Sequence, residues 1–213
     1  IIILVVCSSC SRQKKESFTR VSISEIFTDS LSIRAIVAQD TSRVWFAANR
    51  GVVGLVDGNT PKLATVTYDN KLLHFRAITK TQDAVFVLSI DTPAVLYKID
   101  VKDNQATTMQ EVYLETGEGV FYDAISFWND QGGIAMGDPI GGCLSIIITR
   151  DGGDSWSKLS CDVLPSVVVG EAAFAASNSN IAIYGDHTWI VTGGMRARVF
   201  HSPDKGNTWA VYD

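Results

Sequence analysis

Thr149-Arg150-Asp151-Gly152-Gly153-Asp154-Ser155-Trp156 returns further along the chain as Ser202-Pro203-Asp204-Lys205-Gly206-Asn207-Thr208-Trp209. Both octets read Ser/Thr-x-Asp-x-Gly-x-Ser/Thr-Trp. Each kept position has a physical use in a tight bend. The Asp carboxylate accepts hydrogen bonds from turn N–H groups, and Gly permits positive φ. The hydroxyl residue adds a local side-chain bond. Trp brings a large ring to bury between neighbouring sheets. Two copies in one chain point to a repeat protein whose strands are joined at these bends.

Outward from the octets, short apolar runs alternate with turn signals, and no long stretch of 3.6-residue periodicity competes with them. Ile33-Arg34-Ala35-Ile36, Phe75-Arg76-Ala77-Ile78, Tyr122-Asp123-Ala124-Ile125 and Glu171-Ala172-Ala173-Phe174 share one pattern. Their alanines, Ala35, Ala77, Ala124 and Ala173, lie 42, 47 and 49 residues apart by subtraction, close to the roughly 40–50 residues of a four-stranded propeller blade. A second and a third apolar run follow each of these. A turn and a fourth strand then close the unit: 63–66, 107–113, 156–159 and 209–212. The first two units carry only degenerate turns, Asp57-Gly58-Asn59 and residues 100–104. The octet itself resembles the Asp box, the hairpin turn of sialidase-type β-propellers. The expected fold is therefore all-β, a β-propeller with four four-stranded blades present. Trp45, Trp128, Trp156 and Trp209 should pack between blades.

The bulk numbers agree with a packed domain. Of the 213 residues, 46% are hydrophobic and 19% charged, which excludes a disordered chain. A net charge of −5 with no basic run longer than Lys14-Lys15 argues against a nucleic-acid binder. Residues 31–213 read as the propeller, 11–30 as a linker, and 18–27 as one alternating strand of the kind that closes a propeller ring.

Further stretches carry a closer resemblance. Residues 121–128, the Gly137-Asp138-Pro139-Ile140 turn and residues 170–177 fall in order, followed by Thr192-Gly193-Gly194 and Ala197-Arg198-Val199-Phe200. Together they resemble exported bacterial propellers related to the photosystem II stability/assembly factor family. That resemblance implies a seven-bladed ring, of which four blades would be a fragment. It implies a binding or assembly-factor-like role, since photosynthetic members act as chaperones for a membrane-protein intermediate. Bacterial relatives carry provisional labels such as oxidoreductase or glycosyl hydrolase, between which fold analogy cannot choose.

The N-terminus reads as an export signal. Residues 1–6 are wholly apolar and are followed by Cys7-Ser8-Ser9-Cys10-Ser11, resembling the end of a bacterial lipoprotein signal with Cys10 as the lipidated residue. A short buried strand is the alternative. Lipidation would tether the chain to a membrane by its acyl chains alone, in the periplasm or at the outer membrane of a Gram-negative-type bacterium. Export also permits a disulfide. Cys143 and Cys161 flank the first octet and centre on residue 152, so they face each other across two strands; two buried thiols are the other reading.

Chemistry on such a frame gathers around the central channel, which the first strands line. Arg34 and Arg76 share one position in successive first strands, Asp123 takes it in the third, and Glu171 lies one position earlier in the fourth. With Arg198 these residues either present a ligand site at the channel mouth or form a salt-bridge ring between blades. The ligands to expect are a protein partner or an anionic or carbohydrate ligand. Asp123 and Glu171 would be the acid/base pair of a sialidase-like glycoside hydrolase. Phe75-Arg76-Ala77-Ile78 resembles the Phe-Arg-Ile-Pro strand of sialidases, but with Ala and Ile in place of Ile and Pro. No cofactor is expected: no dinucleotide loop opens a helix, and His74, His187 and His201 lack metal-ligand spacing.

Overall fold

The computed structural model describes residues 19–26, 28 and 30–213; Cys10 and the apolar run before it lie outside them. Four four-stranded antiparallel sheets follow one another along the chain. The first holds β1 (Ile33–Ala38), β2 (Arg43–Ala48), β3 (Val52–Asp57) and β4 (Thr60–Thr65). A short hairpin, β5 (Thr67–Tyr68) and β6 (Lys71–Leu72), leads to the second: β7 (Phe75–Lys80), β8 (Ala84–Ser89), β9 (Ala94–Lys102) and β10 (Gln105–Glu115). The third comprises β11 (Tyr122–Phe127), β12 (Gly133–Ile140), β13 (Cys143–Thr149) and β14 (Ser157–Lys158). After β15 (Glu171–Ala172) come β16 (Ile181–Tyr184), β17 (His187–Val191), β18 (Gly193–Gly194), β19 (Val199–Ser202) and β20 (Ala210–Tyr212). The fourth sheet runs β16-β17-β19-β20, and β15 pairs with β18 as a separate ribbon.

Every sheet meanders from an inner to an outer strand, and the inner strands are neighbours: β1 lies against β7, β7 against β11 and β11 against β16. Central strands are buried on both faces, which is why β8 (AVFVLS) and β13 (CLSIIIT) read as continuous apolar runs. The outer strand β10 is mostly exposed. Three apolar clusters fill the gaps between successive sheets. Trp45 lies in the first gap, Trp156 in the second, and Trp128 with Trp209 in the third. This is the stacked arrangement of propeller blades.

Turn chemistry separates the two halves. In the first two sheets the third and fourth strands join through two-residue turns, Gly58-Asn59 and Asp103-Asn104. The latter has φ 50° and 63°, as a tight hairpin requires. In the last two sheets the same joint is an octet, between β13 and β14 and between β19 and β20.

Two expectations are corrected. The fourth sheet begins at β16 and not at residues 171–174. Tyr184 pairs with His187 across Gly185-Asp186, with Gly185 at φ 59°, and this local hairpin takes the inner position. Residues 19–26, within the expected closing strand 18–27, carry no strand here, and Val21 and Ile23 are exposed. Cys143 and Cys161 are bonded, with S–S 2.05 Å and Cα–Cα 5.5 Å, but they do not face each other across the strand pair. Ile147 faces Lys158 and Ile148 faces Ser157. Cys161 lies past β14, in the 3-10 turn Cys161–Val163.

Candidate functional site

The inner strands share a defect. The β1–β2 ladder shifts register between Ile33 and Ala35, β7–β8 between Phe75 and Ala77, and β11–β12 between Tyr122 and Ala124. The residue skipped in each is Arg34, Arg76 and Asp123. A bulged residue leaves the ladder, and its side chain is re-aimed relative to the pleat. Three successive sheets therefore carry an ionisable side chain at the same bulge of their inner strands.

These residues feel one another. Arg34 is exposed and donates to Ser32 Oγ at 3.2 Å. Arg76 is half-buried, its Nε 3.3 Å from His74 Nε2. Burial, then the charges of Arg76 and Arg34, hold the His74 pKa below its ordinary value, with Asp91 opposing them. A neutral imidazole can accept from Arg76. Asp123 is fully buried, and neither carboxyl oxygen has a hydrogen-bond partner. Burial pushes its pKa up to about 8, helped by the nearby Asp138 carboxylate and opposed by Arg76. Burial also raises Asp138, against the hydrogen bond it accepts from the Ala173 N–H at 2.8 Å. The site is thus a cationic rim of Arg34 and Arg76 beside a carboxyl held neutral at physiological pH.

The chain covers part of this site itself. Residues 173–180, which include Ala173 and Phe174 of the expected first strand 171–174, cross instead over β7 and β11. Arg76 donates to the Ala175 carbonyl at 3.3 Å. The Asn178 carboxamide donates to the carbonyls of Ile78 and Ile125 at 3.0 and 3.2 Å and accepts from the Ile125 N–H at 2.7 Å. Asn178 sits at φ 60°, a conformation that Asn tolerates.

Glu171 and Arg198 stand apart from that cluster. Glu171 accepts from Arg198 Nη2 at 2.6 Å, from Thr192 Oγ1 at 2.5 Å and from the Val168 N–H at 3.0 Å. Its side chain is fully buried and that of Arg198 is 10% exposed. Burial would raise the Glu171 pKa, but Arg198, Thr192 and the Val168 N–H together hold it below its ordinary value. A carboxylate so saturated cannot donate a proton, and an Arg so engaged has no fork left for a ligand. Their expected roles as acid/base residue and ligand-facing cation give way to an internal ion pair that fastens β15 to the start of β19.

No protein-family model matches the chain, and no curated protein matches it significantly. Solved structures do. U3-55K is 13% identical over 88% of this chain and 53% of its own, with a TM-score of 0.56. YCF48 from Cyanidioschyzon merolae is 14% identical over 79% of this chain and 50% of its own, with a TM-score of 0.51. A structure titled as YCF48 bound to D1 peptide is 11% identical over 85% of this chain and 81% of its own, with a TM-score of 0.49. The chain spans about half the length of the first two. The fold is a β-propeller.

Within the propeller, the two octets are one device built twice. Thr149 Oγ1 donates to Asp151 Oδ1 at 2.7 Å and accepts from the Gly153 N–H at 3.0 Å. Asp151 accepts from the N–H and Oγ of Ser155 at 3.0 and 2.5 Å. Trp156 Nε1 donates to the Gly153 carbonyl at 3.3 Å. Ser202, Asp204, Gly206, Thr208 and Trp209 repeat every bond, at 2.9, 2.7, 2.8, 2.7 and 3.1 Å. Their role is structural. Sequence reasoning missed His74, Asp138 and Asn178. Asp138 lies in the quoted Gly137-Asp138-Pro139-Ile140 turn, and Asn178 in the loop-forming run Ser177-Asn178-Ser179-Asn180.

Proposed function

We propose that this chain is an exported, membrane-tethered propeller, built on Asp-box turns, that binds a protein partner at the axial end of its inner strands in an assembly-factor-like role. The observation that carries the reading is the shared bulge, which puts Arg34, Arg76 and Asp123 at one end of three adjacent inner strands. The D1 peptide belongs to YCF48; for this chain the bulge positions are the support. Guanidinium groups at a rim suit carboxylate groups of a partner, and bulges recur where a side chain must be re-aimed. The tether is assigned to Cys10, at the periplasmic or outer-membrane surface.

The test is quantitative capture of solubilised envelope proteins by the immobilised chain. Arg34→Ala together with Arg76→Ala should lower capture of specific partners at least tenfold while far-UV dichroism is unchanged. Undiminished capture would remove the rim from the proposal. One observation favours a second reading: a buried carboxyl with a pKa near 8 is what a general acid needs. A sialidase-like hydrolase would turn over a chromogenic glycoside and lose that turnover in Asp123→Asn. Glu171, held by Arg198, is not available as the second carboxylate of this chemistry.

A further inference from the structure

The carboxamide of Asn178 reads the backbone of β11 as a neighbouring strand would. It accepts from the Ile125 N–H and donates to the Ile125 carbonyl, at 2.7 and 3.2 Å. In a strand, both groups of one residue point to the same edge; here it is the axial edge, the one that does not pair with β12. The second amide proton reaches the Ile78 carbonyl of β7 at 3.0 Å, so a single side chain bridges two sheets. Arg76 contributes a further bond to the Ala175 carbonyl, and Asp138 takes the Ala173 N–H. Of the overlying segment, Ala173 and Ala175 are buried and the Asn180 carboxamide donates to the Phe174 carbonyl at 3.0 Å. Phe174 is 56% exposed, and residues 176, 177 and 179 are also exposed. Underneath lies a set of donors and acceptors: Ile125 N–H and C=O, Ile78 C=O, the Arg76 guanidinium and the Asp138 carboxyl. That set suits an extended peptide with one carboxamide side chain, its main chain lying over Arg76 and Asp138.

We propose that the axial edge of β11 at Ile125, with the Ile78 carbonyl, Arg76 and Asp138, is a recognition site for an extended peptide segment bearing an Asn or Gln side chain, and that residues 173–180 occupy it in cis. This deepens the partner-binding reading above and rests on it. It adds the chemical class of the segment and a reason why the free chain resists adventitious peptides. A covalently tethered competitor acts at an effective concentration of roughly millimolar, so a partner engages only when its own contacts, including those at the Arg34 rim, outcompete the strap.

The experiment uses the chain's own segment as probe. Residues 174–180 are replaced by a Gly/Ser stretch of equal length, and a fluorescent peptide with the sequence of residues 170–182 is titrated by anisotropy. The strap-replaced chain should bind it at a concentration at least tenfold lower than wild type does. The same peptide carrying Asn178→Ala should bind at least tenfold more weakly. Equal binding by both chains, no binding by a folded strap-replaced chain, or indifference to the peptide substitution overturns the proposal. If the replacement prevents folding, Asn178→Ala in the full chain decides: amide exchange at Ile125 should speed at least tenfold, and unchanged exchange refutes the site. Neither readout needs the natural partner. Failure here is therefore separable from failure of the Arg34/Arg76 capture test.

Discussion

A carboxyl group taken out of water with no donor beside it keeps its proton, and Asp123 is such a group. Its pKa moves from 3.8 to about 8, through burial first and the Asp138 charge second. Between those values the folded chain holds a proton that the unfolded chain has released, so unfolding free energy falls as pH rises, by at most about 1.4 kcal/mol per unit. Glu171, Asp151, Asp204 and Glu115 act oppositely. Their folded values are lowered, so their contribution is present above the ordinary carboxyl range and lost as pH drops through it. Asp123→Asn should therefore flatten the decline between about pH 4 and pH 8. Measured by urea unfolding, the variant should gain on wild type by a few kcal/mol between pH 5 and pH 8; a pH-independent gap would show that Asp123 is ionised in the fold. The sequence made this cluster partly legible: each of Arg34, Arg76 and Asp123 stands just before the recurring alanine, Ala35, Ala77 or Ala124, of its unit. The bulge itself was not legible, because it exists only relative to the partner strand.

The octet turns show which positions an element fixes by shape. Gly153 and Gly206 both sit at φ 84°, and a Cβ on Gly153 would collide with the Phe86 ring of the preceding sheet. The residue before it is freer: Gly152 at φ 76° matches Lys205 at φ 57° in the second copy. Gly153→Ala should therefore cost about 2–4 kcal/mol, combining left-handed strain and overpacking. Gly152→Lys should cost about 1 kcal/mol or less. Guanidinium denaturation gives the ranking, and a reversed order would mean that the turn is not seated on Phe86. These turns were legible because their chemistry is local. The fourth sheet was misread because two local solutions competed. The Ala pattern at 171–174 pointed to an inner strand, but the tight Gly185-Asp186 hairpin pairs residues 181–184 with 187–191 at far smaller loop cost. Residues 173–180 lie instead over β7 and β11. The first two sheets show the converse: their two-residue turns, Gly58-Asn59 and Asp103-Asn104, supply no indole to the gap, and a cleft lined by Trp45, Leu55, Ile99 and Met109 stays open.

Stacked sheets touch only their neighbours, so the stability of the whole molecule divides among three interfaces. The one between the second and third sheets is the most aromatic. Phe86 and Phe127 lie with ring centroids 4.7 Å apart, and Trp156 meets them edge-on at 6.4 and 5.8 Å. Glu115 adds a polar tie, accepting from Tyr113 and Tyr122 at 2.6 and 2.8 Å and pairing with Lys158 of the third sheet. Trp156→Ala removes the ring shared by both sides and should cost about 3–5 kcal/mol. Because the loss falls on a boundary, it should also uncouple the halves. Trp45 reports on the first two sheets, and Trp128, Trp189 and Trp209 on the last two. In wild type, far-UV dichroism and tryptophan emission should unfold with one midpoint. In Trp156→Ala the emission transition should separate into two, with the dichroism midpoint between them. Coincident transitions in the variant would mean that the sheets remain one cooperative unit without Trp156, held by the Glu115 tie and the remaining aliphatic contacts.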